Sequence, residues 1–128
     1  PGSVEVAACA AGADEIVCAA HGRAEFCSVG HRKLREGIAA PQAIQIVYAQ
    51  FQADCAAGDI RLLPLTEAIV DRAALVLTSA PASTFLRAAD ALHLATAAEH
   101  GFTEIHSNDR HLLAAAPLFG LRGVNVIP

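Results

Sequence analysis

The chain has 128 residues, of which 54% are hydrophobic and only 5% aromatic, so we expect one globular unit with an aliphatic, alanine-rich core. This composition gives no reason to expect disorder. The formal net charge of -4 argues against a protein that holds nucleic acid through a broadly basic surface. It leaves open a metal-centred site, in which carboxylates bind cations that then meet a polyanionic substrate.

Short apolar segments alternate along the chain with longer segments of helical periodicity. In chain order, the predicted elements are a helix over 4–11, a strand over 15–19, a helix over about 23–36, a helix from 41 to about 58, a strand over 60–64, a helix over 66–79, a loop over 81–84, a helix that carries Asp90 and ends at Gly101, a strand over 104–106, a short helix from 108 and a strand over 124–127.

This alternation predicts βαβ crossovers and a mainly parallel sheet that is covered on both faces, in a three-layer α/β/α domain. The carboxyl ends of parallel strands meet at one edge of such a sheet. We therefore expect the segment 21–25, the loop before Asp90 and the segment 107–109 to converge at that edge.

The cysteines and the hydropathy pattern bear on where the protein works. Cys9, Cys18, Cys27 and Cys55 show no C-x-x-C spacing and lie in apolar stretches, so we expect buried free thiols. No segment resembles a signal peptide, and no apolar run is long enough to span a bilayer. We expect a cytoplasmic location and no membrane partner.

Three carboxylates stand out by their positions. Asp109 follows a predicted strand and opens a helix, with Ser107 as its expected N-cap, so Asp109 alone is explained as a helix-dipole acid. Asp90 lies among apolar helix residues, where a carboxylate needs a partner or a cation. Glu25 comes one turn after a strand end, among small residues.

Together these acids suit Mg²⁺ or Mn²⁺, which prefer hard oxygen ligands. The chemistry expected from such a site is phosphodiester hydrolysis by activated water. In that chemistry, the hydroxyl of Ser107 would hold a water or a phosphate oxygen. A plain N-cap remains the alternative for Ser107.

Several runs of the sequence resemble PIN-domain proteins, especially VapC-type toxins of bacterial toxin–antitoxin modules. The run R-A-A-D-A-L-H-L-A-T-A over 87–97 is similar to the family's R-x-x-D-A-L-H-L-A-T-A segment. The run S-N-D-R-H-L over 107–112 resembles its T/S-x-D-x-x-L segment. Glu25 followed by R-K-L-R-E-G over 32–37 resembles its E-…-R-x-x-x-x-G helix, and P-G-S at the start resembles its E-P-G-S link.

The resemblance implies a Mg²⁺- or Mn²⁺-dependent endoribonuclease toxin that acts on RNA, usually forms a homodimer and is held inactive by a cognate antitoxin. Glu25, Asp90 and Asp109 would be its catalytic, metal-binding acids, and Ser107 their hydroxyl neighbour. Arg87 and Arg32 would contact substrate phosphates.

The sequence departs from the family pattern at its beginning. PIN domains open with a strand whose Asp completes the acidic site, and this sequence starts after that point. Asp14 and Glu15 cannot replace it, because they lie at the entry to the predicted strand over 15–19, at the opposite edge. We therefore expect residues 1–128 to be a single PIN-like domain that lacks its first strand, with impaired metal affinity unless another segment fills the gap.

Other functions have less support in the sequence. One alternative is a PIN-fold interaction module that has no catalytic activity and whose acids serve as helix caps. A receiver-type phosphoacceptor is disfavoured because the only lysine, Lys33, lies mid-helix. No H-x-x-H or H-x-x-x-H spacing supports zinc, and no G-x-S-x-G supports a serine hydrolase.

Overall fold

The computed structural model describes residues 2–127. The chain divides into two compact units, one formed by Glu15–Pro64 and the other by the segments on either side of it. The helices are α1 (Ser3–Ala11), α2 (Gly22–Arg35), α3 (Pro41–Ala57), α4 (Glu67–Ser79), α5 (Ala88–Glu99) and α6 (Arg110–Ala115), with a 3₁₀ helix at Ala116–Phe119. The strands are β1 (Ile16–Ala19), β2 (Ile60–Leu63), β3 (Glu104–Ser107) and β4 (Arg122–Asn125).

All four strands pair in parallel, which confirms the predicted mixed α/β class. The predicted mainly parallel sheet is divided, however: within residues 2–127, β1 pairs with β2 in one unit and β3 with β4 in the other. Each strand is only four residues long. Because a two-stranded ladder is marginally stable by itself, each pair depends on the helices that pack against it.

In the Glu15–Pro64 unit, α2 packs against α3 through aromatic side chains. The rings of Phe26 and Phe51 stack with centroids 4.4 Å apart, and the hydroxyl of Tyr48 donates a hydrogen bond to the carbonyl of Cys27 at 2.7 Å. Gly30 is buried where Tyr48 crosses α2. A glycine is needed there because a Cβ would lie 2.8 Å from Cε1 of Tyr48.

The ends of α3 follow from its sequence. Pro41 occupies the first turn, where its missing N–H and fixed φ are tolerated. Gly58 ends the helix with φ 82°, a left-handed conformation that glycine adopts without strain. Both boundaries were predicted.

The other unit contains the larger core, in which α4 packs against α5. Alanines at many of these positions let the helices approach closely, while Leu94 and Ile69 are fully buried between them. The buried apolar residues of this core are Ile69, Ala73, Ala91, Leu94, Ala95, Ala97, Leu112, Ala115, Ala116, Phe119 and Leu121.

The C-terminal segment differs most from the predicted elements. The last helix begins at Arg110 rather than at 108, and the 3₁₀ helix was not predicted. The last strand is Arg122–Asn125 rather than 124–127. It begins early because Gly120, at φ 74°, ends the 3₁₀ helix and Arg122 then pairs with Glu104 at the start of β3.

The cysteines are more exposed than their apolar surroundings predicted. The cysteines are free thiols as expected, but the predicted burial was wrong: Cys9 and Cys27 are exposed, and Cys18 and Cys55 are only partly buried. Cys9 lies on α1, which buries none of its residues, so an apolar sequence there does not produce a packed face.

Among residues 2–127, no helix is long and apolar enough to cross a membrane.

Candidate acidic site

Asp109 connects the end of β3 to the start of α6. Its Oδ1 accepts hydrogen bonds from the backbone N–H groups of His111 at 2.8 Å and Leu112 at 3.2 Å, so Asp109 is itself the N-cap. These bonds to Leu112 and His111, with the nearby charges of His111 and Arg87, lower the pKa of Asp109 below its ordinary value. The side chain is therefore a fixed carboxylate.

Ser107, the last residue of β3, has a different role from the predicted one. Its Oγ accepts a hydrogen bond from the backbone N–H of Asp109 at 3.1 Å, and it does not cap α6. The predicted N-cap at Ser107 was wrong because the helix starts later, which leaves Asp109 in the extended conformation that a cap adopts. Ser107 instead braces the turn that presents Asp109.

Asp90 lies in the first turn of α5 and is partly buried. Ala91, Leu94 and Ala95, which follow it on one side of α5, are completely buried, so α5 is fixed in the core. The helix also packs against β3. The ring of Phe85, two residues before the N-cap Arg87 of α5, contacts the ring of His111 in the first turn of α6, so the starts of α5 and α6 lie near each other.

An aromatic and cationic cluster adjoins Asp109. The guanidinium carbon of Arg87 lies 5.4 Å from the ring centroid of Phe85, and the rings of Phe85 and His111 have centroids 4.5 Å apart. Arg87 was a predicted site residue, whereas Phe85 and His111 were not. The spacing of Phe85 and Arg87 could have predicted their contact, since residues two apart in an extended segment lie on the same side.

Glu25 lies in the other unit, in the first turn of α2, directly after β1. It is partly buried, and its charge acts on the thiol of Cys18 in β1. Burial first, and then the charge of Glu25, raise the pKa of Cys18. Glu25 thus stands at the carboxyl end of a parallel strand, as predicted for this sequence.

Arg32 is exposed in the last turn of α2, a position where basic side chains also interact favourably with the helix dipole. In that turn it is accompanied by Lys33 and Arg35. Its location is compatible with a solvated side chain as well as with a phosphate contact.

The residues that lie together in one unit are therefore Ser107, Asp109 and Arg87, with Asp90 in the first turn of the same helix that Arg87 caps. Ser107 and Asp109 provide hard oxygen donors at the carboxyl end of a parallel strand, and the guanidinium of Arg87 lies over Phe85, whose ring contacts His111 beside Asp109. An α/β protein with this arrangement is suited to binding a divalent cation and a phosphate group.

A family model described as the PIN domain matches residues 1–117, and the chain therefore belongs to the PIN-domain family. PIN domains form a superfamily of nucleases, which act on nucleic acid and typically depend on divalent metal ions. Comparisons with curated proteins and with solved structures gave no significant match.

Proposed function

We propose that this protein is a metal-dependent endoribonuclease of the VapC type, the toxin of a toxin–antitoxin module. The observation that carries the proposal is the position of Asp109, a carboxylate fixed by two hydrogen bonds just after β3, near the start of the helix that contains Asp90. Membership of the PIN family and the similarity of residues 87–97 to the VapC-type segment support it.

The side chains present fit Mg²⁺ or Mn²⁺ by their chemistry. Asp109 uses Oδ1 for its two hydrogen bonds to α6, and a carboxylate has a second oxygen with which to bind a cation. Asp90 and Glu25 are the other two acids that we propose as metal ligands. A divalent cation, when bound, supplies the Lewis acidity that activates water for attack on a phosphodiester.

The protein's own residues would orient the substrate and the acids. Ser107 holds the backbone of Asp109, and the cap to α6 fixes the direction of its carboxylate. We assign Arg87 to a phosphate oxygen, since its planar guanidinium can donate two parallel hydrogen bonds. Arg32 is a second candidate for a phosphate contact.

We propose that residues 1–128 form a single PIN-like domain that acts in the cytoplasm, forms a homodimer and is inhibited by an antitoxin protein. A catalytically inactive interaction module is the second candidate. The observation that favours it is that Asp109 already has a structural role as the cap of α6.

The test is cleavage of single-stranded RNA in Mn²⁺, compared with EDTA. We expect cleavage by the full-length wild-type protein, none in EDTA, and none with Asp90→Asn at an unchanged melting temperature. Asp71→Asn is the matched control, because Asp71 is an exposed acid on α4 and belongs to no proposed site. Cleavage that survives in Asp90→Asn, or full-length wild-type protein that binds no Mn²⁺ by calorimetry, would contradict the proposal.

A further inference from the structure

Phe85 is an exposed aromatic side chain with planar neighbours. It lies in the loop before α5 and is 50% exposed. The guanidinium of Arg87 lies over its ring, and the imidazole of His111 is tilted by 43° against it at 4.5 Å. Three planar groups from two chain segments are thus gathered at the surface beside Asp109.

This cluster also concentrates positive charge. The Nε of Arg110 donates a hydrogen bond to Nε2 of His111 at 3.4 Å, so two guanidiniums flank the pair of rings. The whole chain has only nine Lys and Arg residues and a net charge of -4. A basic and aromatic cluster in an otherwise acidic protein indicates a ligand that is both planar and anionic.

An unpaired nucleotide has this chemistry. Its base stacks on Phe or His rings and on Arg guanidinium planes, and its phosphate accepts hydrogen bonds from Arg. The bases of a duplex are stacked on each other and cannot reach such a surface. We propose that Phe85, Arg87 and His111 form a stacking subsite for an unpaired base of single-stranded RNA, next to Asp109.

This inference rests on the proposed function, because it names how the same site holds its substrate. It assigns Phe85 a binding role and Arg87 a double one, as a plane for the base and as a donor to the phosphate. His111 links the subsite to the acidic site, since its backbone N–H is bound to Asp109 while its ring contacts Phe85.

The experiment measures the affinity of a labelled single-stranded RNA of about ten nucleotides, within the usual range of such sites. It uses the Asp90→Asn chain in Mg²⁺, and the wild-type chain in EDTA, so that the RNA stays intact. Phe85→Leu keeps an apolar side chain but removes the ring. We expect it to weaken binding by about 5- to 150-fold, the range for loss of one stacked base.

Two controls separate stacking from charge and folding. Leu75→Ala removes an exposed apolar side chain, 68% exposed on α4, and we expect it to leave binding unchanged. An abasic backbone of the same length should bind the Phe85→Leu and parent chains equally. Arg87→Lys, which keeps the charge but loses the plane, should weaken RNA binding more than abasic binding.

If the Phe85→Leu and parent chains bind the RNA with equal affinity, the stacking subsite is wrong. RNA cleavage in Mn²⁺ would in that case still support the proposed nuclease function. An equal loss of affinity for duplex RNA would also overturn the subsite, because a duplex offers no unpaired base. A wild-type chain that neither binds nor cleaves RNA would contradict both the subsite and the proposed function.

Discussion

The backbone N–H of Asp109 donates to the side chain of Ser107, so the residue that ends β3 orients the residue that begins α6. The carboxylate of Asp109 then accepts from α6 itself. One acid therefore has a demonstrable structural role and a proposed catalytic one, and the two can be separated by substitution.

Asp109→Asn and Asp109→Ala should have different effects on stability and the same effect on catalysis. Asn caps helices about as well as Asp, whereas Ala loses the cap at a cost of about 0.5–2 kcal/mol in the free energy of unfolding. Both remove the charged ligand. We expect both variants to lose RNA cleavage, and Ala alone to lower the midpoint of denaturant unfolding clearly. Retained cleavage by the stable Asn variant would assign Asp109 to capping only.

Gly30→Ala should destabilise the protein by about 1–3 kcal/mol, because the added methyl group would overlap Tyr48, whose hydroxyl is held by Cys27. Denaturant unfolding measures this. Gly12→Ala is the control, since its new methyl group would meet only ordinary contacts, the nearest at 3.6 Å. In a Tyr48→Phe background the cost of Gly30→Ala should fall. An equal cost in both backgrounds would show that the hydroxyl of Tyr48 is not the obstacle.

Stability should depend on pH through Glu104. Its hydrogen bond to Arg122, followed by the charges of Arg122 and His106, lowers its pKa below the ordinary value of 4.5. A lowered folded-state pKa contributes stability that is present above 4.5 and is lost as the pH falls through the lowered value. We therefore expect the difference in unfolding free energy between wild type and Glu104→Gln to be largest near neutral pH. It should shrink in acid and in high salt; a difference independent of pH would contradict the assignment.

Cys18 should be the slower of two thiols to react. Burial and the charge of Glu25 raise its pKa, so little reactive thiolate is present at neutral pH, whereas Cys27 is exposed. Alkylation by iodoacetamide, followed by mass spectrometry, should modify Cys27 before Cys18. Glu25→Gln should shift the pH profile of Cys18 alkylation to lower pH, while Glu36→Gln, a control further along the chain, should not. An unshifted profile in Glu25→Gln would exclude the charge of Glu25 as a cause of the raised pKa.

Local signals predicted much of the fold. Thr66 was expected to open α4, and its Oγ1 accepts a hydrogen bond from the N–H of Ile69 at 3.3 Å. Pro41 and Gly58 delimited α3 for equally local reasons. Such signals act within one turn of a helix, so the sequence alone reveals them.

Long-range relations were predicted less well. The apolar surroundings of Cys9 and Cys27 do not reveal which side of a helix faces solvent, and both are exposed. The early start of β4 depends on the pairing of Arg122 with Glu104 across the ladder. Likewise, the contact between Phe85 and His111 joins a loop to a helix that lies far along the chain. None of these relations has a periodic or capping signature.

The β3–β4 ladder has four residues in each strand and is packed by α5 and α6. Two strands of that length do not persist alone, so the ladder opens when its helices open. The amide protons of Ile105 and His106 should therefore exchange with solvent in the same cooperative event as those of the buried half of α5. The packing of the helical core therefore holds Asp109 in position. A substitution that leaves a cavity at the buried Leu94 would loosen the acidic site although it changes no residue of that site.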